Sequence, residues 1–174
     1  TGSGFAKRLD MVVVSPLRRA TETALLAFGP SPSLTSPSSS SSSIQSSSLS
    51  SPLFLAVEEA REQHGLHICD RRLPASELAK QYPLVDYSRL LGSNNRDLLY
   101  DASRREPKVD LARRCFSFLQ WLSSTDSKEV AVVSHSSFLL TMFKTVLKSD
   151  DSAWLRTGEM RTANVEFVPN DTRK

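Results

Sequence analysis

The chain has 174 residues, of which 39% are hydrophobic and 24% are charged, a composition that is ordinary for one globular domain with a substantial core. Its formal net charge is only +3, too weak a balance to indicate binding to nucleic acid or to a membrane surface. The sequence contains no apolar run long enough to cross a bilayer and no signal-peptide pattern.

The first predicted element is a short β-branched run at Met11–Val14, which is typical of a buried parallel strand. Ser15 is expected to cap a following helix, with Pro16 at its first position, where a missing N–H costs nothing. The helix is predicted to end at Gly29 and Pro30. A strand, a tight turn and a helix make half of a βαβ unit, and ligands of open α/β sheets bind at the carboxyl ends of the strands.

Two arginines, Arg18 and Arg19, fall in the first turn of this predicted helix. The helix dipole disfavours a cation at that end, so an anion held between the helix N-terminus and a guanidinium would explain their position. Two solvated surface arginines explain the same pattern. The turn is therefore a candidate anion site with a plain structural alternative.

A serine-rich tract with several prolines occupies residues 30–52. Such a composition buries too little apolar surface to offset the entropy of ordering it, so we predict a disordered insertion within a single domain that spans residues 1–174. A second short strand is expected at residues 53–57. The chain does not begin with methionine and residues 1–10 have no features of a domain start, so we expect the natural protein to begin earlier.

The polar stretch after the second strand contains His64, His67 and Cys69. These side chains could indicate a metal cluster, but no fourth ligand lies nearby, so a polar loop with a turn at Gly65 is favoured and no metal or cofactor is expected. The second cysteine, Cys115, has no redox or metal spacing to Cys69. This pattern favours reduced thiols in an intracellular, cytoplasmic protein.

Residues 76–81 are predicted to form a short helix, and residues 83–106 show no sustained periodicity. A loop of that length in a compact domain is usually functional, often as a lid. A long amphipathic helix is predicted to open at Pro107 and to pack in the core without a chemical role. Its expected apolar stripe consists of Val109, Ala112, Phe116, Leu119 and Leu122.

A third β-branched strand is predicted at Val130–Val133, followed by a turn at His135 and a helix over residues 138–147. If this strand runs parallel to Met11–Val14, His135 and the turn that carries the two arginines share one edge of the sheet. Two such turns on one edge favour a functional histidine over a structural one. A final strand is predicted at residues 162–168.

Four motifs, taken in order, resemble the histidine phosphatase superfamily, in its phosphoglycerate mutase-like group. They are VVSPLRRATETA at residues 13–24, REQHGLHICDRR at residues 61–72, VAVVSHSSFL at residues 130–139 and TANVEFV at residues 162–168. The resemblance covers nearly the whole chain outside the serine-rich tract. It implies an α/β fold, a three-layer α/β/α sandwich around a mainly parallel sheet. The CDRR motif looks closest to the mutase-like phosphatases of eukaryotes and less like the glycolytic mutases.

The resemblance also implies phosphoryl transfer from a small phosphorylated metabolite through a phosphohistidine. By their positions in the motifs, Arg19 is expected to bind the phosphoryl group, and His135 to bind it and take part in catalysis. Glu62 is the expected general acid, with Glu59 as the alternative. An arginine and a donor histidine can hold the equatorial oxygens of a transferring phosphoryl group, and a carboxylic acid can protonate the leaving alkoxide. No metal, nucleic acid or membrane partner is expected.

The sequence departs from the family at the nucleophile, because no Arg-His-Gly occurs in these 174 residues. The family's first strand, phosphate loop and first helix are therefore expected to precede Thr1, so that the first strand of the sheet is missing. On that interpretation the chain is a truncated part of a phosphatase or mutase and is inactive alone. The alternatives are a non-catalytic phosphate-binding protein and a truncated gene product that does not fold by itself. The substrate and the oligomeric state are not specified by the sequence.

Overall fold

The computed structural model describes residues 9–30, 52–93, 95–150 and 153–168. Almost all of the predicted insertion at residues 30–52 lies outside these ranges. Within them, the strands are β1 (Met11–Val14), β2 (Leu53–Ala56), β3 (Val85–Asp86) and β4 (Val130–Val133). They form one parallel sheet in the order β3, β2, β1, β4. The predicted strands β1, β2 and β4 are therefore confirmed.

Helices pack on both faces of this sheet. They are α1 (Arg18–Phe28), α2 (Ala75–Gln81), α3 (Ser88–Ser93), α4 (Lys108–Ser123) and α5 (Ser136–Thr141), and α5 continues as a π-helical turn at Met142–Val146. Val12 and Val14 of β1 pack with α1, α2 and α3, whereas Met11 and Val13 pack with α4 and α5 on the opposite face. The predicted three-layer α/β architecture is confirmed. None of the helices in the described ranges has both the length and the apolar character needed to span a membrane.

The parallel strands β1 and β4 end level with each other at the carboxyl edge of the sheet. Val14 pairs with Val133, and the ladder continues one residue further, because the Ser15 N–H donates to the Val133 carbonyl oxygen at 2.9 Å. The turns that carry Arg19 and His135 therefore lie on the same edge, as predicted.

Helix α1 begins two residues later than the capping pattern predicted, which corrects the roles of Ser15 and Pro16. Its N-cap is Leu17, which has extended backbone and makes no side-chain capping hydrogen bond. Ser15 is fully buried, and its N–H continues the ladder from β1 to β4, so this residue still belongs to the strand side of the turn. The predicted end of the helix at Gly29 is confirmed.

Helix α4 starts after Pro107 as predicted, but its predicted buried face is only partly right: Leu119 lies in the core and Leu122 packs against it. Val109 and Phe116 of the expected stripe are 56% and 53% exposed. The core is met by another stripe with the same three- and four-residue spacing, rotated around the helix. The buried residues of α4 are Leu111, Cys115, Phe118 and Leu119. Cys115 packs there as a small apolar side chain, and the Phe118 ring meets the edge of the Phe138 ring at 5.5 Å between centroids.

Residues 83–106 contain more regular structure than predicted. They include β3 and α3, and β3 adds to the sheet by pairing Val85 with Phe54 of β2. A two-residue strand and a six-residue helix are too short to produce a clear period in the sequence, which explains why they were missed.

The final strand predicted at residues 162–168 is wrong. Residues 153–168 contain neither helix nor strand, and Val165, Phe167 and Val168 are 39%, 46% and 75% exposed. Their alternation with polar residues suits a half-buried strand, but a strand also needs a neighbouring backbone to complete its hydrogen bonds. No segment in the described part of the chain pairs with this one.

Candidate active site

The carboxyl edge of the sheet brings Ser15 and His135 into contact, although 120 residues separate them in the chain. Ser15 follows β1, and His135 is the N-cap of α5, with extended backbone. The Oγ atom of Ser15 and the Nε2 atom of His135 are 2.8 Å apart, and both residues are buried. The register of β1 and β4 sets this contact, because it fixes where the two turns begin.

The setting of His135 strongly disfavours a proton on its ring. The pKa of His135 is lowered from 6.5 to about 3, chiefly by burial and then by the nearby Arg19 charge, while the Asp70 carboxylate opposes both effects. Arg61 and Arg114 add their positive charges. The imidazole is therefore neutral at pH 7, and the charge that acts on it most strongly is the guanidinium of Arg19.

Arg19 is held in place by the segment that follows β2. Its Nη1 donates to the carbonyl oxygen of Cys69 at 2.6 Å, and its Nη2 donates to Oδ1 of Asp70 at 3.0 Å. The buried Asp70 carboxylate accepts a further hydrogen bond at Oδ2 from Arg105, at 2.6 Å. The Arg19 side chain remains 45% exposed, so a ligand can reach it. The structure thus brings Arg19 and His135, two of the predicted site residues, to the same edge of the sheet, near enough for the charge of Arg19 to affect His135.

Arg18, the neighbouring arginine, joins a different cluster. Its Nε donates to the Tyr82 hydroxyl at 3.4 Å, and its Nη2 lies 3.8 Å from Oε1 of Glu22. The Tyr82 hydroxyl donates to the same Glu22 oxygen at 2.6 Å. The two arginines of the turn therefore have different partners, although both line the cavity between α1 and the CDRR segment.

A fully buried arginine, Arg61, organises the segment that was predicted to be a plain polar loop. Its two Nη atoms donate to the two carboxylate oxygens of Asp97 at 2.7 and 2.9 Å, and Nη1 also donates to Glu58 at 2.6 Å. Burial raises the pKa of Asp97, but the hydrogen bonds from Arg61 outweigh it, and the pKa lies below its usual value. The loop is therefore built around a buried ion pair, which corrects the prediction.

Arg72, in the CDRR motif, extends this ion-pair cluster. Its Nε donates to Glu58 at 2.8 Å, and its backbone N–H donates to Asp97 at 2.9 Å. Its Nη atoms donate to the carbonyl oxygens of Asn95 and Arg96 at 2.9 and 3.1 Å. Because three of these partners lie within residues 83–106, the cluster fixes that segment next to the candidate site.

Arg114 of α4 provides a second anchor for the same region. Its Nε and Nη2 donate to the two oxygens of Glu106 at 2.9 and 2.6 Å. Burial raises the pKa of Glu106, but the paired guanidinium outweighs it, and the pKa falls to about 2. Arg114 also donates to three backbone carbonyl oxygens, those of Glu59, Arg61 and Glu62, at 2.7, 2.7 and 3.1 Å. Helix α4, predicted to have no chemical role, therefore positions the segment that carries both candidate acids.

Glu62 and Glu59 lie on this anchored segment and are both half-buried. Oε1 of Glu62 accepts a hydrogen bond from the N–H of Gln63 at 2.7 Å, and Oε1 of Glu59 lies 3.9 Å from Nη2 of Arg89. Within the described residues, neither carboxylate makes a hydrogen bond or an ion pair with Arg19 or His135. The structure therefore places the candidate acids near the sheet edge but does not join them to the anion site.

The other histidines and the cysteines have separate environments. His64 pairs with Glu106 at 3.2 Å, whereas His67 and Cys69 are exposed. Burial raises the pKa of Cys115 to about 12, so that thiol is unreactive. Across the described ranges, no three histidine, cysteine, aspartate or glutamate side chains are grouped so that they could hold a metal ion.

Three curated proteins of Arabidopsis thaliana match this chain in sequence. A phosphoglycerate mutase-like protein is 38% identical over 141 residues, phosphoglycerate mutase-like protein 1 is 36% identical over 146 residues, and phosphoglycerate mutase-like protein 2 is 33% identical over 171 residues. The matches cover 76%, 79% and 79% of this chain. The chain spans about half the length of these relatives, 51%, 51% and 49% respectively. No family model and no solved structure matches the chain.

Proposed function

This chain belongs to the phosphoglycerate mutase-like proteins, and we propose that its carboxyl-edge site binds the phosphoryl group of a small phosphorylated metabolite. The observation that carries the proposal is that Arg19 and the buried, neutral His135 lie at the same edge of the sheet, near enough for the Arg19 charge to lower the pKa of His135. A guanidinium holds phosphate oxygens through charge-assisted hydrogen bonds, and a neutral imidazole supplies one further N–H donor. These donors together can hold the oxygens of a phosphate ester.

In the proposed reaction, the phosphoryl group passes through a phosphohistidine, and the nucleophilic histidine comes from an Arg-His-Gly segment outside these 174 residues. The histidine nitrogen attacks phosphorus, and the bond from phosphorus to the substrate's ester oxygen breaks. Arg19 and His135 hold the equatorial oxygens, over which charge spreads in the transition state. A general acid gives its proton to the leaving alkoxide, and its conjugate base then activates the water or second hydroxyl that takes the phosphoryl group from the histidine.

Glu62 is the proposed general acid, and the contacts of the two carboxylates support it over Glu59. The Glu59 carboxylate is paired with the Arg89 guanidinium, with Oε1 of Glu59 3.9 Å from Nη2 of Arg89. The Glu62 carboxylate faces no arginine among the described residues and accepts only the local N–H of Gln63. This difference supports Glu62, whose carboxylate is not held by an ion pair among the described residues, as the acid that can reach a bound substrate.

Titration of the 174-residue chain with inorganic phosphate tests the anion site. Arg19→Met is expected to weaken phosphate binding by roughly tenfold to a hundredfold, because a hydrogen bond to a charged group contributes about 1.5–3 kcal/mol. Arg18→Met is the matched control, since it removes the adjacent arginine of the same turn, and it is expected to leave the affinity within about twofold. Calorimetry measures both affinities. Equal losses in the two variants, or no phosphate binding by the unaltered chain, would contradict the proposal.

A non-catalytic phosphate-binding role is the alternative, and it is favoured by the lack of an Arg-His-Gly motif within these 174 residues. Both functions need the same anion site, so phosphate binding does not separate them. The two functions are separated by incubating the protein isolated from its own cells with a phosphoryl donor. Acid-labile, histidine-linked phosphate on that protein supports the enzyme, and its absence with a range of donors supports the binding role.

A further inference from the structure

The Ser15 hydroxyl lies in a closed environment in which its hydrogen bonds can be counted. The residue is fully buried, and within the described chain its Oγ has two partners, the N–H of Leu17 at 3.4 Å and Nε2 of His135 at 2.8 Å. The Leu17 N–H can only donate, so Oγ accepts from it. The buried hydroxyl proton then needs an acceptor, and the acceptor within reach is Nε2 of His135.

This count fixes the position of the proton on His135. If Nε2 accepts the serine proton, a neutral imidazole must carry its own proton on Nδ1. In the opposite arrangement Nε2–H donates to Oγ, and the hydroxyl proton of Ser15 is buried without an acceptor. An unsatisfied buried donor is unfavourable, so the first arrangement is preferred. A doubly protonated ring does not compete at neutral pH, because burial and Arg19 keep the pKa of His135 low.

The Nδ1 atom of His135 is the nitrogen that remains for a ligand, since no residue in the described part of the chain forms a hydrogen bond with it. We propose that Ser15 sets the tautomer of His135 and thereby makes Nδ1–H a donor to the phosphoryl group that Arg19 binds, an inference that rests on the proposed function. Ser15 touches His135 and not the substrate, so it is a positioning residue. The site then combines one permanent cation with one neutral donor of fixed direction.

Long-range correlation of the ring protons with the ring nitrogens by NMR measures the tautomer directly, in the absence of phosphate. In the unaltered chain, Nδ1 of His135 is expected to be protonated and Nε2 unprotonated, and the His135→Asn variant identifies these signals among those of the three histidines. In Ser15→Ala the preference is expected to be lost or reversed. Ser134→Ala is the matched control, because its hydroxyl donates to the Ala60 carbonyl at 2.6 Å in the equivalent turn, and it is expected to keep the tautomer.

Phosphate titration of the same samples tests whether the tautomer matters for binding. Ser15→Ala is expected to weaken phosphate binding by about threefold to tenfold, the effect of misdirecting one hydrogen bond, and Ser134→Ala by less than about twofold. An altered tautomer with unchanged phosphate affinity overturns the role of Ser15 in binding.

A ring protonated at Nε2 in the unaltered chain overturns the proposal. A tautomer that is unchanged in Ser15→Ala overturns it as well. Because the tautomer is measured without phosphate, a failure of the tautomer proposal can be distinguished from a failure of the proposed phosphate-binding function. If the unaltered chain does not bind phosphate, the proposed function is wrong, and the tautomer result still decides whether Ser15 controls His135.

Discussion

The two strand–turn–helix units that build the site, residues 11–28 and residues 130–141, share one construction but differ in burial. Their strands pair in parallel over four residues, Met11 with Val130 through Val14 with Val133. All four residues of β1 are buried, and all four residues of β4 are half-buried. Strand β1 has a neighbour on each side, whereas within the described chain β4 has β1 on one side only.

The difference shows that the burial of a strand depends on its neighbours more than on its own residues. The runs MVVV and VAVV are nearly equally apolar, yet only the first is covered on all sides. The residues that follow the strands behave differently, because Ser15 and His135 are both buried where the two turns meet. The unit with the half-buried strand therefore still buries the side chain of His135.

The largest expected effect comes from shortening one valine in each strand. Val13→Ala in β1 is expected to lower the free energy of unfolding by about 2–3 kcal/mol, because it removes buried methyl groups and leaves a cavity. Val132→Ala at the paired position of β4 is expected to cost about 1 kcal/mol or less, since that residue is half-buried. Urea unfolding of the two variants measures the difference, and equal losses would show that β4 is as covered as β1.

The next largest effect is a pH dependence of the free energy of unfolding, which arises from His135 in the second unit. The pKa of His135 is about 3 in the folded chain and near 6.5 when it is unfolded, so the unfolded state binds a proton first as the pH falls. Above about pH 6.5 the ring is neutral in both states and the free energy of unfolding does not depend on it. Below that pH the free energy of unfolding falls progressively towards pH 3, by about 2 kcal/mol between pH 7 and pH 5. Urea unfolding at these two pH values, in buffers without phosphate, measures the loss.

His135→Asn is expected to remove most of this pH dependence, whereas His67→Asn, at an exposed position, is expected to keep it. Glu106, whose pKa is lowered to about 2, titrates mainly below this window and does not confuse the measurement. The same loss of stability between pH 7 and pH 5 in His135→Asn and in the unaltered chain would show that His135 is not the group responsible.

The smallest effect concerns the ends of the two units that lie away from the site. Oδ2 of Asp10, just before β1, accepts hydrogen bonds from the N–H groups of Lys128 and Glu129, just before β4, at 2.8 and 2.9 Å. These bonds lower the pKa of the Asp10 carboxyl. Asp10→Asn is therefore expected to cause a small fall in Tm at pH 7 that shrinks as the pH falls through the carboxyl pKa. Asp126→Asn, in the same loop, serves as the control, and a matching fall there would remove any special role for Asp10.

The sequence was sufficient to predict the units and their shared edge. β-branched runs of four residues identified β1 and β4, and the parallel pairing placed His135 and Arg19 together. Periodicity was not sufficient for α4, where two stripes satisfy the same spacing and tertiary packing selects the one through Cys115. It also failed at residues 162–168, because alternation describes side chains and not whether a backbone partner exists.

The polar framework of the site could not be predicted from the sequence. Arg61 and Asp97 are 36 residues apart, and nothing local distinguishes a fully buried arginine from a solvated one. Arg114 looks like an ordinary polar position on an amphipathic helix until its partner Glu106 is placed beside it. The one signal of a buried ion-pair cluster in the sequence was charge density. Carboxylates and arginines are frequent at both ends of residues 58–72, a stretch interpreted as a polar loop.

The arginines of this framework bind the main chain as well as side chains, and this has a consequence for how the surrounding sequence can change over time. A carbonyl oxygen is present whatever residue occupies the position. The hydrogen bonds from Arg72 to positions 95 and 96 therefore do not depend on which side chains are there. The same holds for the carbonyl groups that Arg114 binds. Substitutions at those positions can change the side chains while the path of the backbone is kept, whereas Arg72 and Arg114 themselves cannot be replaced without losing these hydrogen bonds.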